Sequence, residues 1–416
     1  MSAESGKGPL AGYRVLELGS TVAGPFCGRL LADFGAEVIK IETPDGDPVR
    51  TFGKRHEGKS LYAASICRNK RMASINLREE RGRDLIRDLV KDCDVLIENF
   101  RPGTMESWEL GYDDLSAINP GLVMVRISGF GQTGPYKARA GYGVVCEAVS
   151  GLRHLTGDPD RPPARMAVSL TDEIGGTYAA YGVAMALLHR NVTGRGQCID
   201  AALYECAFSY MEPYVPAYEK LGAVPNRMGS RLPNSTPNNL YPTKEGGHIH
   251  ITAGSMRVWE RMARVMGRED LLDDPKFAEQ VSLNANEDEV DEIVGEWTAR
   301  YPLDEIEKLL EDAGVPAARI YTIEDIFEDP HYAAREMIVD VPDDDLGSVK
   351  LANVVPKLSE TPGKIQKSGG QTGVDTAEVL RERLGLDEAA IAELEAAGVV
   401  YCGTGHDPAK AAIGED

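Results

Sequence analysis

Nowhere in the 416 residues is there an apolar run of about 18, so no helix of ordinary spanning length is expected and no membrane partner. The opening stretch, MSAESGKGPLAG, shows neither a basic segment leading into an apolar one nor an Arg-rich amphipathic pattern. Export or organelle targeting is therefore not expected, and a cytoplasmic location is. Paired cysteines are missing as well. The seven thiols (Cys27, Cys67, Cys93, Cys146, Cys198, Cys206 and Cys402) are scattered without a CxxC spacing, which argues for reduced thiols rather than a disulfide or zinc framework. Positive charge is in deficit, 45 Lys and Arg against 66 Asp and Glu for a net charge of −21. Such a field repels nucleic acid, so an anionic ligand must be held by a local basic patch. There is no GxSxG elbow, and none of the seven histidines has an assignable nucleophile partner, which disfavours a Ser or Cys hydrolase.

What is present is the composition of a folded protein, 42% hydrophobic and 27% charged, in a chain long enough for two domains. YRVLELG, EVIKIE, DVLIENF and LVMVRISGF read as buried strands. PFCGRLLADFG, closed by Gly35, and EERGRDLIRDLVKDC read as helices between them. That βαβ rhythm predicts an α/β fold, a Rossmann-like parallel sheet covered by helices, with ligands at the carboxyl ends of its strands. The rhythm stops between Pro213 and Gly247, where Asn, Pro and Gly accumulate. The expected organisation is a large domain over 1–215, a linker over 216–243, a smaller α+β domain over 244–328, and a segment over 329–416 that returns to the large domain and ends in a flexible tail. No internal repeat is visible.

The segment VSLTDEIGG leads into a long helix rich in small residues. Thr171 or Asp172 stands where an N-cap belongs. The same place suits chemistry, because a carboxylate at a helix N-terminus is held ionised by the dipole and the free N–H groups. Gly175 and Gly176 leave room for either a bulky substrate or a close helix. GFGQTG matches the dinucleotide pattern GxGxxG, but Pro135 and YKARAGYG follow where an apolar helix should begin. It is read as a Gly-rich loop edging another kind of pocket. His248 and His250 alternate on one strand without Cys or carboxylate partners, so no metal is expected. Between Arg50 and Arg71, seven cations (Arg50, Lys54, Arg55, Lys59, Arg68, Lys70 and Arg71) face the single acid Glu57. This run is either a solvated face or an anion site.

Taken together, several segments resemble the class III CoA-transferase family, the CaiB/BaiF group. They are GPLAGYRVLELGSTVAGPFCGRLLADFGAEVIKIETPDGDPVR, CRNKRMASINL, DVLIENFRPG, ISGFGQTGP with AGYGVV, LTDEIGG, TGRGQCIDAALYE, and AGVPAARIYTIEDIFEDPHYAARE followed by LSETPG. The resemblance runs through nearly the whole chain in the family's order. It implies that Asp172 is the catalytic aspartate and that CoA lies along the large domain. The implied contacts are Ser20, Thr21, Val22 and Ala23, then Cys67, Arg68, Asn69 and Lys70, then Asn99, Phe100 and Arg101, with Tyr142 lining the pocket. Arg68, Lys70 or Arg101 would then neutralise the CoA phosphates. Thr43 and Ser107 stand where relatives often carry Arg. The resemblance also implies an interlocked homodimer, with CoA and acyl-CoA as substrates and no tightly bound cofactor.

In that family the aspartate attacks the thioester to form a mixed anhydride, from which water must be kept by a closing loop. The 226–239 stretch or Gly254 would serve as the lid. Arg227 and Arg231 in that stretch would pair with a second carboxylate, favouring succinyl-CoA as donor and a small dicarboxylic acid as acceptor, with carnitine-like or oxalate acceptors as alternatives. An α-methylacyl-CoA racemase would carry a histidine where Tyr142 stands. A silent CoA-binding protein would have no use for Asp172.

Overall fold

The apolar runs become the centre of a parallel sheet because both of their faces are covered. In the computed structural model, which describes residues 8–403, seven strands lie in the order Val400–Tyr401, Lys70–Ile75, Glu37–Glu42, Arg14–Glu17, Val95–Glu98, Val123–Ser128 and Cys198–Ala202. All pair in parallel except Val400–Tyr401, which runs antiparallel at the edge. Period-2 alternation sends Val15, Val38 and Val95 to one face, against Leu31 and the helix residues Val183 and Leu187. Leu16, Ile39 and Leu96 go to the other, against Ile86, Leu380 and Leu394. The chain builds outward from Arg14–Glu17 to one side and then crosses to Val95–Glu98 on the other. The strand order therefore reverses between these two neighbours, the place in an open α/β sheet where ligands commonly bind, beyond the carboxyl ends of the strands.

Two compact units are formed. One takes the chain up to Leu152, Met166–Val215 and the chain from Tyr332 onward; the other takes Arg153–Arg165 and Pro216–His331. In the first, the late segment is stitched onto the edge strand. Asp375 Oδ2 accepts from Met72 N at 2.6 Å, and Thr376 Oγ1 accepts from Ser74 N at 2.9 Å and donates to Tyr401 O at 2.7 Å. The tail expected to be flexible instead forms the helix Glu388–Ala396 and the edge strand, because Ile391 and Leu394 cover the sheet. Residues 404–416 of that expected tail lie outside the described residues.

The second unit is built on an antiparallel sheet ordered Ala317–Arg319, His248–Thr252, Asn238–Pro242. Asn238–Pro242 falls inside the expected linker. Its Asn and Pro residues hide a strand held through Tyr241, which is buried with Ile249, Ile251 and Trp259. His250 Nε2 meets Asn238 Oδ1 at 3.0 Å, and no His, Cys, Asp or Glu group suited to a metal occurs among the described residues. No helix among them is long and apolar enough to cross a membrane.

Candidate active site

The two strands that flank the reversal end in turns that grip each other. Ser20 N donates to Asn99 Oδ1 at 2.7 Å, and Asn99 Nδ2 donates back to Ser20 O at 2.8 Å. Thr21 follows at φ 68, a left-handed conformation costly for a β-branched residue. What holds it is Asp47, whose Oδ1 accepts from Thr21 N at 2.9 Å and from Val49 N at 2.8 Å. Lys40 completes the cradle: its Nζ donates to Gly19 O at 2.7 Å and pairs with Asp47 at 2.7 Å and Glu17 at 3.2 Å, all inside the core. Burial presses against the Asp47 charge, yet Lys40 and the two amides outweigh it and hold the carboxyl below its ordinary range.

Beside this turn runs the helix Leu170–Thr193. Its N-cap is Ser169, so Asp172 is not the cap but lies inside the first turn with Glu173. The glycine pair serves close packing: a Cβ on Gly176 would sit 2.8 Å from Ala23 O, and one on Gly175 would sit 2.4 Å from Leu203 Cδ2. A third glycine bears on Asp172 itself. A Cβ on Gly143, the first residue of the helix Gly143–Ser150, would stand 2.0 Å from Asp172 Oδ2. The carboxylate thus lies over the opening turn of a second helix while occupying the opening turn of its own, where backbone dipoles favour negative charge. Its field reaches Cys146, whose thiol is pushed up to about 12 by burial and then by Asp172. Tyr62 is likewise pushed up to about 12 by burial, then by Glu173 and Asp172. A cavity of about 520 Å³ opens here, lined by Phe52, Gly53, Tyr62, Ala167, Val168, Ser169 and Glu173.

Comparison with known proteins gives this geometry a family. Residues 10–376 match CoA-transferase family III. The chain belongs to that family. It is 44% identical over 402 residues to the succinyl-CoA:D-citramalate CoA-transferase of Chloroflexus aurantiacus, covering 96% of this chain and 100% of the relative. It is 41% identical over 397 residues to the β subunit of the succinyl-CoA:L-malate CoA-transferase of the same bacterium, covering 94% and 98%. A crystal structure of a CaiB/BaiF family protein from Brucella suis superposes with a TM-score of 0.81 at 34% identity, over 91% of this chain and all of that one. The protein is an enzyme, a CoA-transferase.

Within this transferase the expected CoA residues fall into two sets. Ser20, Thr21 and Asn99 meet at the strand ends, Ala23 abuts Gly176 one turn beyond Asp172, and Val22 is buried among Val49, Ile66 and Cys67. Phe100 packs edge-on against Trp108 at 5.2 Å, Arg101 is exposed, and Tyr142 is 72% exposed as the N-cap of the Gly143–Ser150 helix. The second set is turned inward. Arg68 is 1% exposed and forks onto Asp33 at 2.6 to 3.2 Å while donating to Ala352 O at 2.8 Å. Asn69 bonds Asp33 and Lys364 O, and Lys70 pairs with Glu17 at 2.8 Å. The phosphate role expected of Arg68 and Lys70 is corrected accordingly: both cations are already spent on buried carboxylates. The same holds for much of the basic run, since Lys59 pairs with Asp343 and Arg71 with Glu37 and Glu382. In the second unit Arg231, expected to clamp substrate, pairs with Glu287, Asp288 and Asp291. Arg227 donates to the carbonyls of Asp158 and His154. Tyr62, Gly143 and Glu173 went unremarked in the sequence; the only signal was their nearness to motif residues in SLYAAS, AGYG and LTDEIGG.

Proposed function

We propose that this enzyme moves CoA from succinyl-CoA to a dicarboxylic acid by way of Asp172. The observation that carries the reading is the Asp172 carboxylate, set between the first turns of two helices beside a cavity. Such a position favours the charged form of a carboxylate, and Asp172 is only partly buried, open to an acyl group. One of its oxygens attacks the thioester carbonyl, the C–S bond breaks, and CoA leaves as thiolate with a succinyl-aspartyl anhydride behind it. The thiolate then attacks the aspartyl carbonyl, releasing succinate and leaving CoA on Asp172. The acceptor carboxylate displaces that thiolate, and the thiolate finally attacks the acceptor acyl carbon, restoring Asp172. No ATP is needed because each intermediate keeps the activation of the thioester. The donor follows the names of the two relatives, both of which take CoA from succinyl-CoA.

CoA is proposed to lie over the Gly19–Ala23 turn and Asn99–Phe100, with Arg101 facing its phosphates. Arg101 suits this because it is exposed, whereas Arg68 and Lys70 are enclosed. Incubation with succinyl-CoA and hydroxylamine tests the anhydride: mass spectrometry should find a hydroxamate on Asp172. Turnover with no adduct at that residue would count against the route.

The working form is proposed to be a homodimer. Tyr181, Leu188 and Val192 are 62%, 60% and 87% exposed along the Leu170–Thr193 helix, an apolar stripe that water disfavours. Sedimentation equilibrium should give twice the chain mass; a monomer that retains full turnover would refute this part.

A further inference from the structure

The cavity beside Asp172 has a bias that a pocket for a second carboxylate would not show. Its lining contains no Lys, Arg or His, and its one charged member is Glu173. The cation that acts on Glu173 is Arg29, held with its guanidinium 4.2 Å over the Phe26 ring and its Nε buried without a hydrogen-bond partner. Arg29 influences both Glu173 and Tyr62 through space, yet no ion pair closes between Arg29 and Glu173 among the described residues. Burial raises the Glu173 carboxyl above its ordinary range and Arg29 works against it; in its ionised form the group only accepts hydrogen bonds, and on a half-buried cavity wall it is an acceptor open to a donor. The rest of the lining is suited to carbon: Phe52, Ala167, Val168 and the Tyr62 ring. Glu173 follows Asp172 directly in the first turn of the Leu170–Thr193 helix, so the cavity adjoins the turn that carries the reacting carboxylate.

We infer that Glu173 is a specificity-determining residue that accepts a hydrogen bond from a hydroxyl group on the acid receiving CoA, so that the enzyme selects hydroxylated dicarboxylic acids over unsubstituted ones. The inference rests on the transfer reading given above. The second carboxylate of the acid lies outside this cavity, where Glu173 would repel it, and the apolar walls take the carbon skeleton.

The test uses the full-length enzyme with succinyl-CoA as donor and three acceptors: glutarate and the two enantiomers of 2-hydroxyglutarate. The wild type should prefer at least one hydroxylated enantiomer. In Glu173→Met the ratio of kcat/KM for that enantiomer to kcat/KM for glutarate should fall about 10- to 100-fold, the weight of one hydrogen bond to a charged group. Glu173→Gln, which keeps an acceptor oxygen and the same shape, should lose part of that ratio, and it stands in should the Met variant not fold. An unchanged ratio, with both acids falling together, would overturn the inference. So would a rise in KM for succinyl-CoA with acid selectivity intact, which would assign the cavity to the thioester arm. A wild type that transfers to dicarboxylic acids without preferring the hydroxyl refutes the Glu173 role alone, whereas one inactive with every acid refutes the transfer reading and this one with it.

Discussion

Asp172→Ala should lower kcat for CoA transfer by at least about 10⁴-fold, the scale on which covalent catalysis collapses when its nucleophile is removed. No neighbouring carboxylate can take over. Glu173 is displaced by about 100° around the helix, so it faces the cavity wall while Asp172 faces Gly143. Asp172→Asn should be nearly as inactive, because an amide keeps the shape and loses the nucleophile. The fold should persist in both, since the helix is anchored through Ala179, Val183, Ala186 and Leu187 in the core. Steady-state kinetics together with a thermal melt would check this. An Asp172→Ala enzyme within tenfold (about 1.4 kcal/mol) of wild type would remove the covalent route altogether.

Gly143→Ala should cost about 10²-fold in kcat while leaving stability close to wild type. The added methyl would stand 2.0 Å from Oδ2 and 2.6 Å from Cγ of Asp172, so the carboxylate must swing by more than about 1 Å to restore contact distance. Misplacement on that scale is enough to spoil attack on a carbonyl held elsewhere. Nothing in the helix itself objects, because Ala propagates a helix better than Gly and Gly143 is not among the residues of positive φ. A large fall in kcat with an unshifted melting temperature is therefore the expected signature. Wild-type turnover in this variant would show that the carboxylate works from another position.

The parallel sheet was legible in the sequence because both its faces are covered, leaving apolar runs such as VLEL and VIKI with little polar relief. Asp172 could be placed near a helix start for a similar reason, since LTDEIGG precedes an unbroken run of helix-compatible residues. What could not be read was pairing at a distance. Arg68 looks like a surface cation until Asp33 and the Ala352 carbonyl, 284 residues downstream, are brought against it. Lys59 meets Asp343 in the same way. A run of cations in sequence therefore resembles a patch, although five of the seven, Arg50, Lys59, Arg68, Lys70 and Arg71, pair with separate carboxylates. Glu173 is hard to see for the opposite reason: beside a more conspicuous aspartate, one more acid on a helix carries no signal until the cavity appears.

The edge strand Val400–Tyr401 sets a constraint on how the enzyme is made. During translation the neighbouring strand Lys70–Ile75 emerges about 325 residues before its partner. At ribosomal rates of 5 to 20 residues per second that is a wait of roughly 15 to 65 s, with backbone N–H and C=O groups unpaired. The nascent chain thus carries this sheet edge open through most of its synthesis, and a ribosome that stalls late would release a chain whose Ser74–Ile75 edge is still uncovered.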